Sequence, residues 1–241
     1  MRRTAVLLIA VLGAVLVLSG CGGARTGELQ TESQSVELDD AESVRTELRQ
    51  GFGKLNLSGG AEQLMEANFS YNVAEWEPEV DYDGGRQSTL TVQQGGSEGD
   101  GISLLGLDDA RNEWDIRLNN GVPTNLSIEM GAGENDLRLG SLSLTALDLQ
   151  MGAGVATVDL TGDWDQDLDV RIQGGAGQAT LRLPRDIGVR VDAEGGIGEI
   201  NASGLTRDGG TYTNEAYGSS DTTLSIDFEG GVGQVNLEVA D

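Results

Sequence analysis

From about residue 120 onward the chain alternates apolar and polar side chains with a period of two, and each alternating run is cut by a pair of glycines. Leu126-Ser-Ile128-Glu-Met130-Gly131-Ala-Gly133, Leu147-Asp-Leu149-Gln-Met151-Gly152-Ala-Gly154 and Val170-Arg-Ile172-Gln-Gly174-Gly175-Ala-Gly177 are near copies of one another, and Val189 to Gly198 and Leu224 to Gly233 repeat the pattern. The second glycines fall at 133, 154, 177, 198 and 233, giving steps of 21, 23, 21 and 35. After each pair the alternation resumes, as in Leu137 and Leu139, Val158 and Leu160, Leu181 and Leu183, and Val235 and Leu237. Period two puts these residues on one strand face, while Arg138, Asp159, Arg182 and Asn236 point the other way. A unit with a single apolar face cannot bury it alone, and stacked copies can. The expected architecture is therefore an all-β, single-stranded β-solenoid with coils of about 21 residues. The glycines mark its corners, where positive φ and close stacking of backbones require a residue without Cβ. At about 4.8 Å per strand, nine or ten coils would extend roughly 45 Å.

The rest of the chain divides around this array. Residues 22–34 are polar and read as a flexible tether, residues 35–94 as an N-terminal module with a degenerate version of the repeat, and residues 95–241 as the continuing solenoid. Further strands are expected at 68–71, 80–82 and 88–93, a loop at 95–101, and one helical turn around 61–65. The long step between Gly198 and Gly233 holds an insertion at 206–221, rich in Gly, Ser, Thr and Asn. Insertions in solenoids map to loops on one face, often the binding face. Tyr212, Asn214 and Tyr217 are accordingly the candidate binding residues, and deletion of 207–220 should leave the fold intact. The last alternating run, Val235 to Val239, nearly reaches the C-terminus, so its edge is a candidate for pairing with a second copy.

The beginning of the chain changes the picture. Arg2 and Arg3 precede an apolar run from Ala5 to Leu18, and Leu18-Ser19-Gly20-Cys21 follows. This is the order of parts in a secretory signal, and its end resembles a lipobox, whose cysteine takes a diacylglyceryl group. Cys21, the only cysteine, is thus the expected lipidation site, residues 1–21 the signal, and the membrane the first partner. The body should lie outside the cytoplasm, on the cell membrane or the outer membrane. A formal net charge of −25, deepened by loss of Arg2 and Arg3, excludes nucleic acid as a partner.

Catalytic chemistry has little to work with. The chain has no histidine, which removes the usual general base and most zinc sites. The glycine pairs imitate calcium-binding β-helix repeats, yet the position that must supply a carboxylate is Ala179, Ile200 or Val235. Asp163-Trp-Asp165-Gln-Asp167-Leu-Asp169 begins like an EF-hand loop but lacks the central glycine and the closing Glu. No metal, cofactor or enzymatic activity is expected. Trp114 reads as core, and Trp76 and Trp164 as half-buried at corners.

One stretch identifies a family. Gly51-Phe-Gly53-Lys-Leu55-Asn-Leu57-Ser-Gly-Gly60, Leu64, Asn68-Phe69, Pro78-Glu-Val80 and a strand ending at Gln93 resemble the N-terminal toast-rack module. Asn112-Glu-Trp114-Asp-Ile116-Arg-Leu118, Val122-Pro123 and the Leu-x-Ile-x-Met-Gly-Ala-Gly copies resemble its continuation into LiaF-like (cell-wall-active antibiotics response) and adhesin-like domains. The resemblance implies a non-catalytic β-solenoid used for interaction or adhesion at the envelope, meeting an envelope protein or a wall component. The alternative it implies is a regulator or sensor of envelope stress acting on a membrane partner, although the N-terminal transmembrane helices of LiaF-like regulators are absent.

Overall fold

The computed structural model describes residues 26–96, 109–194 and 197–240. The signal with Cys21, positions 22–25 of the tether and positions 97–101 of the expected loop lie outside the described residues. In chain order the strands are β1 (Thr26–Val36), β2 (Ser43–Gly59), β3 (Met65–Val73), β4 (Pro78–Asp83), β5 (Gln87–Gln94), β6 (Asn112–Leu118), β7 (Thr124–Arg138) and β8 (Leu144–Asp159). They continue with β9 (Leu168–Leu183), β10 (Gly188–Glu194), β11 (Ile197–Ser203), β12 (Thr206–Asp208), β13 (Thr211–Thr213), β14 (Thr223–Glu229) and β15 (Val232–Val239).

The glycine pairs bend strands without ending them. Gly131 and Gly133 lie inside β7, Gly152 and Gly154 inside β8, and Gly175 and Gly177 inside β9. In β7 the buried positions before the pair are Thr124, Leu126, Ile128 and Met130, and those after it are Asn135 and Leu137. The inward phase therefore moves from even to odd numbers across the glycines. A regular strand keeps one phase throughout; the bend changes it and aims both halves of each strand at one interior.

The halves build two facing layers of one continuous bent sheet. First halves run in the order β4-β5-β2-β7-β8-β9-β14-β10-β13-β12, and second halves in the order β1-β3-β6-β2-β7-β8-β9-β15-β11. All pairs from β2 to β10 and β11 along the array are parallel. Side chains stack in ladders across the coils: Leu57, Leu137, Val158, Leu181 and Leu237 are in register, and none is more than 1% exposed. Facing them, Leu48, Ile128, Leu149, Ile172 and Phe228 form a second ladder. Each such side chain contributes about 1.5–3 kcal/mol by leaving water, which is what holds a chain without a disulfide together.

At the bend, Gly53, Gly133, Gly154, Gly177, Gly233 and Gly198 stand in one column. A Cβ on Gly133 would lie 1.7 Å from the carbonyl oxygen of Gly53, and one on Gly154 1.9 Å from that of Gly133.

Several expectations are corrected. Six strand layers, not nine or ten, share the glycine column; meanders β1-β3-β6 and β4-β5 flank it. The last two coils are exchanged in space, because β14 and β15 insert between β9 and the pair β10 and β11. The reason is bulk: Phe228 and Leu237 complete the ladders from within, while the outer coil offers only Ala193 and Ala202 at those positions. The run Val235 to Val239 is therefore paired on both sides along most of its length, and among the described residues the free edge of this layer belongs to β11. Residues 26–34, read as tether, lie in β1; most of their side chains stay exposed, with Glu32 and Gln34 half-buried, while the backbone pairs with β3. No helix forms at 61–65, and the 3-10 turn is at Ala74–Trp76.

Packing of β3 produces one pH effect. Tyr71 is 3% exposed, and burial, followed by the charges of Glu77 and Glu32, pushes its phenol up to about 12. An unfolded tyrosine ionises near about 10. The folded value is the higher one, so this contribution is fully present below about pH 10 and is lost as pH rises toward 12. Urea midpoints measured on both sides of that window should fall more steeply for the native chain than for Tyr71→Phe.

Candidate functional site

The insertion between β11 and β14 is structural along most of its length. β12 and β13 form a hairpin whose second strand pairs antiparallel with β10, Arg190 opposite Thr213 and Asp192 opposite Thr211. Tyr212 is 2% exposed, with the Arg207 guanidinium 5.5 Å from its ring centroid. Asn214 is 6% exposed. Its Oδ1 accepts the Val189 N–H at 2.9 Å, and its Nδ2 donates to the Ile187 carbonyl at 2.7 Å and, at 3.3 Å, to those of Pro184 and Arg185. Two of the three candidate binding residues are thus turned inward, against the expectation of a surface loop, because β10 needs its outer edge covered. Tyr217 remains 40% exposed and bonds Arg190. The carboxyl of Asp192 is lowered by the bond from Arg190 and then by that from the Thr211 hydroxyl. This cluster fastens the hairpin.

The four aspartates of the acidic run 163–169 are exposed, and one of them also fastens a neighbouring strand. Asp167 Oδ1 accepts the Thr223 N–H at 2.8 Å, and Trp164, 7% exposed, donates from Nε1 to the Leu160 carbonyl. Trp76 is 2% exposed and packs on Phe52, with ring centroids 5.6 Å apart; both tryptophans are more buried than their corner positions suggested. Trp114 is in the core, edge-on to Phe69. Among the described residues no group of three or more acidic, Cys or His side chains could hold a metal ion, and no helix is long and apolar enough to cross a membrane.

A different feature stands out along the glycine column. Inside the bend is a cavity of about 100 Å³ reaching from Met130 and Gly133 of β7 to Gly198 and Ile200 of β11. It arises from small inward residues. Two positions after the second glycine, the column reads Leu55, Asn135, Ala156, Ala179, Val235 and Ile200 from one end to the other, and just before the pair Met130 and Met151 give way to Gly174. The rim carries Val155 at 48% and Val232 at 59% exposure, both among the few large apolar residues that face solvent. Asn135 is 7% exposed, and its Oδ1 has no hydrogen-bond partner; a buried acceptor left so costs about 1–3 kcal/mol. Sequence reading passed over this site because Ala and Gly at strand positions carry no chemical signal; only the drop in side-chain size at 156, 174 and 179 could have pointed to it.

The architecture has counterparts. The family described as the N-terminal domain of toast_rack, DUF2154, matches residues 25–182. No protein of curated function matches the chain. Among solved structures, a candidate cell adhesion protein from Clostridium sporogenes ATCC 15579 is 36% identical, with 88% of this chain and 100% of that one covered and a TM-score of 0.84. A candidate adhesin from Bacteroides fragilis NCTC 9343 covers 90% of this chain and 100% of its own at 10% identity and a TM-score of 0.26, a level that adds nothing to the comparison. With a family match over more than half its length and a close structural counterpart over 88% of it, the chain belongs to the toast-rack family.

Proposed function

We propose that this chain is a non-catalytic lipoprotein of the cell envelope, held to a membrane through Cys21, that presents its acidic β-solenoid as an interaction or adhesion-like scaffold to an envelope protein or a wall component. The observation that carries this reading is the likeness in fold and sequence to the Clostridium sporogenes protein, described by name as a candidate for cell adhesion. A bent-sheet solenoid suits such a role, since parallel backbone pairing and continuous ladders make it a stiff rod with its charges outside. Its acidity opposes contact with anionic lipid and nucleic acid and favours basic or neutral partners.

Self-association through a strand edge belongs to the same reading, at β11. The edge strand β1 carries Glu28 and Glu32, β4 begins with Pro78 and carries Glu79, Asp81 and Asp83, and β12 is three residues long. Proline, charge and shortness are the usual means of blunting edges. β11 has Glu199 as its one charge.

The test is made on cells producing the native chain or Cys21→Ser. The native chain should partition with membranes and take up labelled fatty acid, and Cys21→Ser should do neither; equal partitioning of both would refute the anchor. The detergent-solubilised native chain should have a dimeric mass that Ala202→Asp, which adds an acid to the β11 edge, lowers to that of a monomer. Cross-linking in intact envelopes should recover a surface or wall component, whereas recovery of a membrane kinase would move the reading to envelope-stress regulation.

A further inference from the structure

The cavity along the glycine column has the shape and lining of a binding site. It crosses β7, β8, β9, β15 and β11, four strand spacings, or about 19 Å at about 4.8 Å each. The space, about 100 Å³ and partly open to solvent, is lined by Met130, Met151, Ala156, Ala179 and Phe228, and it takes the end segment of an alkyl chain rather than a whole lipid tail. Interiors of this kind normally close to crystal-like density. Here Ala156, Ala179 and Gly174 leave a gap that the ring of Phe228, 3.8 Å from where a Cβ on Gly174 would stand, fills only in part.

Two independent features indicate what enters. Met130, Met151, Phe228 and Val235 give the slot an apolar lining. Asn135, between Leu55 and Ala156 in register, holds a buried Oδ1 without a partner. An acceptor in an apolar slot calls for a ligand with an O–H or N–H donor. Glu194 and Glu199 line the far end, and with the acidity of the whole chain they repel an anionic head group.

We propose that this slot binds one unbranched alkyl chain bearing an uncharged hydrogen-bond donor, such as the hydroxyl of a fatty alcohol or an acylglycerol, with Asn135 Oδ1 accepting the bond. The ligand is a free neutral amphiphile of this kind. Nothing in this proposal depends on the adhesion-like role.

The experiment titrates the full chain carrying Cys21→Ser, which has no acyl group of its own, with 1-octanol, 2-octanone and octanoate. Calorimetry should give one 1-octanol bound per chain. 2-Octanone, which lacks a donor, should bind about tenfold more weakly, the worth of one hydrogen bond, and octanoate more weakly still. Asn135→Ala should erase the preference for the alcohol over the ketone. Ala179→Leu should fill the slot and abolish binding of all three; if that variant does not fold, the Asn135→Ala comparison decides. The proposal is overturned if 1-octanol gives no heat, if octanoate binds as well as 1-octanol, or if Asn135→Ala leaves the preference intact.

Discussion

Gly154→Ala should lower the unfolding free energy by about 2–6 kcal/mol, among the largest effects a single methyl group can have in this chain. Two penalties combine. Gly154 has φ +138°, a conformation that costs an L-residue about 1–3 kcal/mol. Its Cβ would also lie 1.9 Å from the Gly133 carbonyl oxygen, and this obstacle is backbone in a ladder, unable to swing aside. Moving it would separate β7 from β8 along both layers. Gly209→Ala is the control: Gly209 also has positive φ, +62°, but nothing lies within 4 Å of the added carbon. It should lose only about 1 kcal/mol. Urea midpoints with unchanged slopes measure both. Equal losses at the two positions would mean that conformational strain alone explains the glycine column and that close approach of the coils does not.

That column was legible from the sequence because bend, phase change and stacking all act on residue type. The period-two ladders Leu137, Val158 and Leu181 or Ile128, Leu149 and Ile172 could be read directly, since a strand in a two-layer fold buries every second side chain. The order of the coils could not. Sequence spacing says that β10 and β11 follow β9, whereas their places are taken by β14 and β15. Only the relative bulk of Phe228 and Leu237 against Ala193 and Ala202 favours that exchange, and such a preference is visible only when the ladders are assembled. β1 was missed for a different reason: its residues are polar and mostly exposed, and hydrogen bonds between backbones leave no pattern in side chains. The slot was missed because it is made of absences, small residues where neighbouring coils have large ones.

Removal of residues 207–220 bears on the same exchange. Read as a surface loop, the segment should be dispensable; as the cover of β10, it should not. Deleting it should cost about 2.5–6 kcal/mol, combining burial of Tyr212 at about 1.5–3 kcal/mol with about 1–3 kcal/mol for buried groups that lose Asn214. The backbone of β10 would then face solvent along the side that β13 now occupies, and the truncated chain should aggregate at concentrations where the native one does not. The single variants divide the effect. Asn214→Ala leaves the Val189 N–H and the Ile187 carbonyl without their side-chain partner and should account for about 1–3 kcal/mol. Tyr217→Ala, at a residue 40% exposed, should change stability by less than about 0.5 kcal/mol. If Tyr217→Ala weakens binding to an envelope partner while Asn214→Ala weakens only the fold, the insertion serves both purposes through different residues. If the deletion leaves the urea midpoint unchanged, the hairpin is an ornament, and the outer coil is held by β14 and β15 alone.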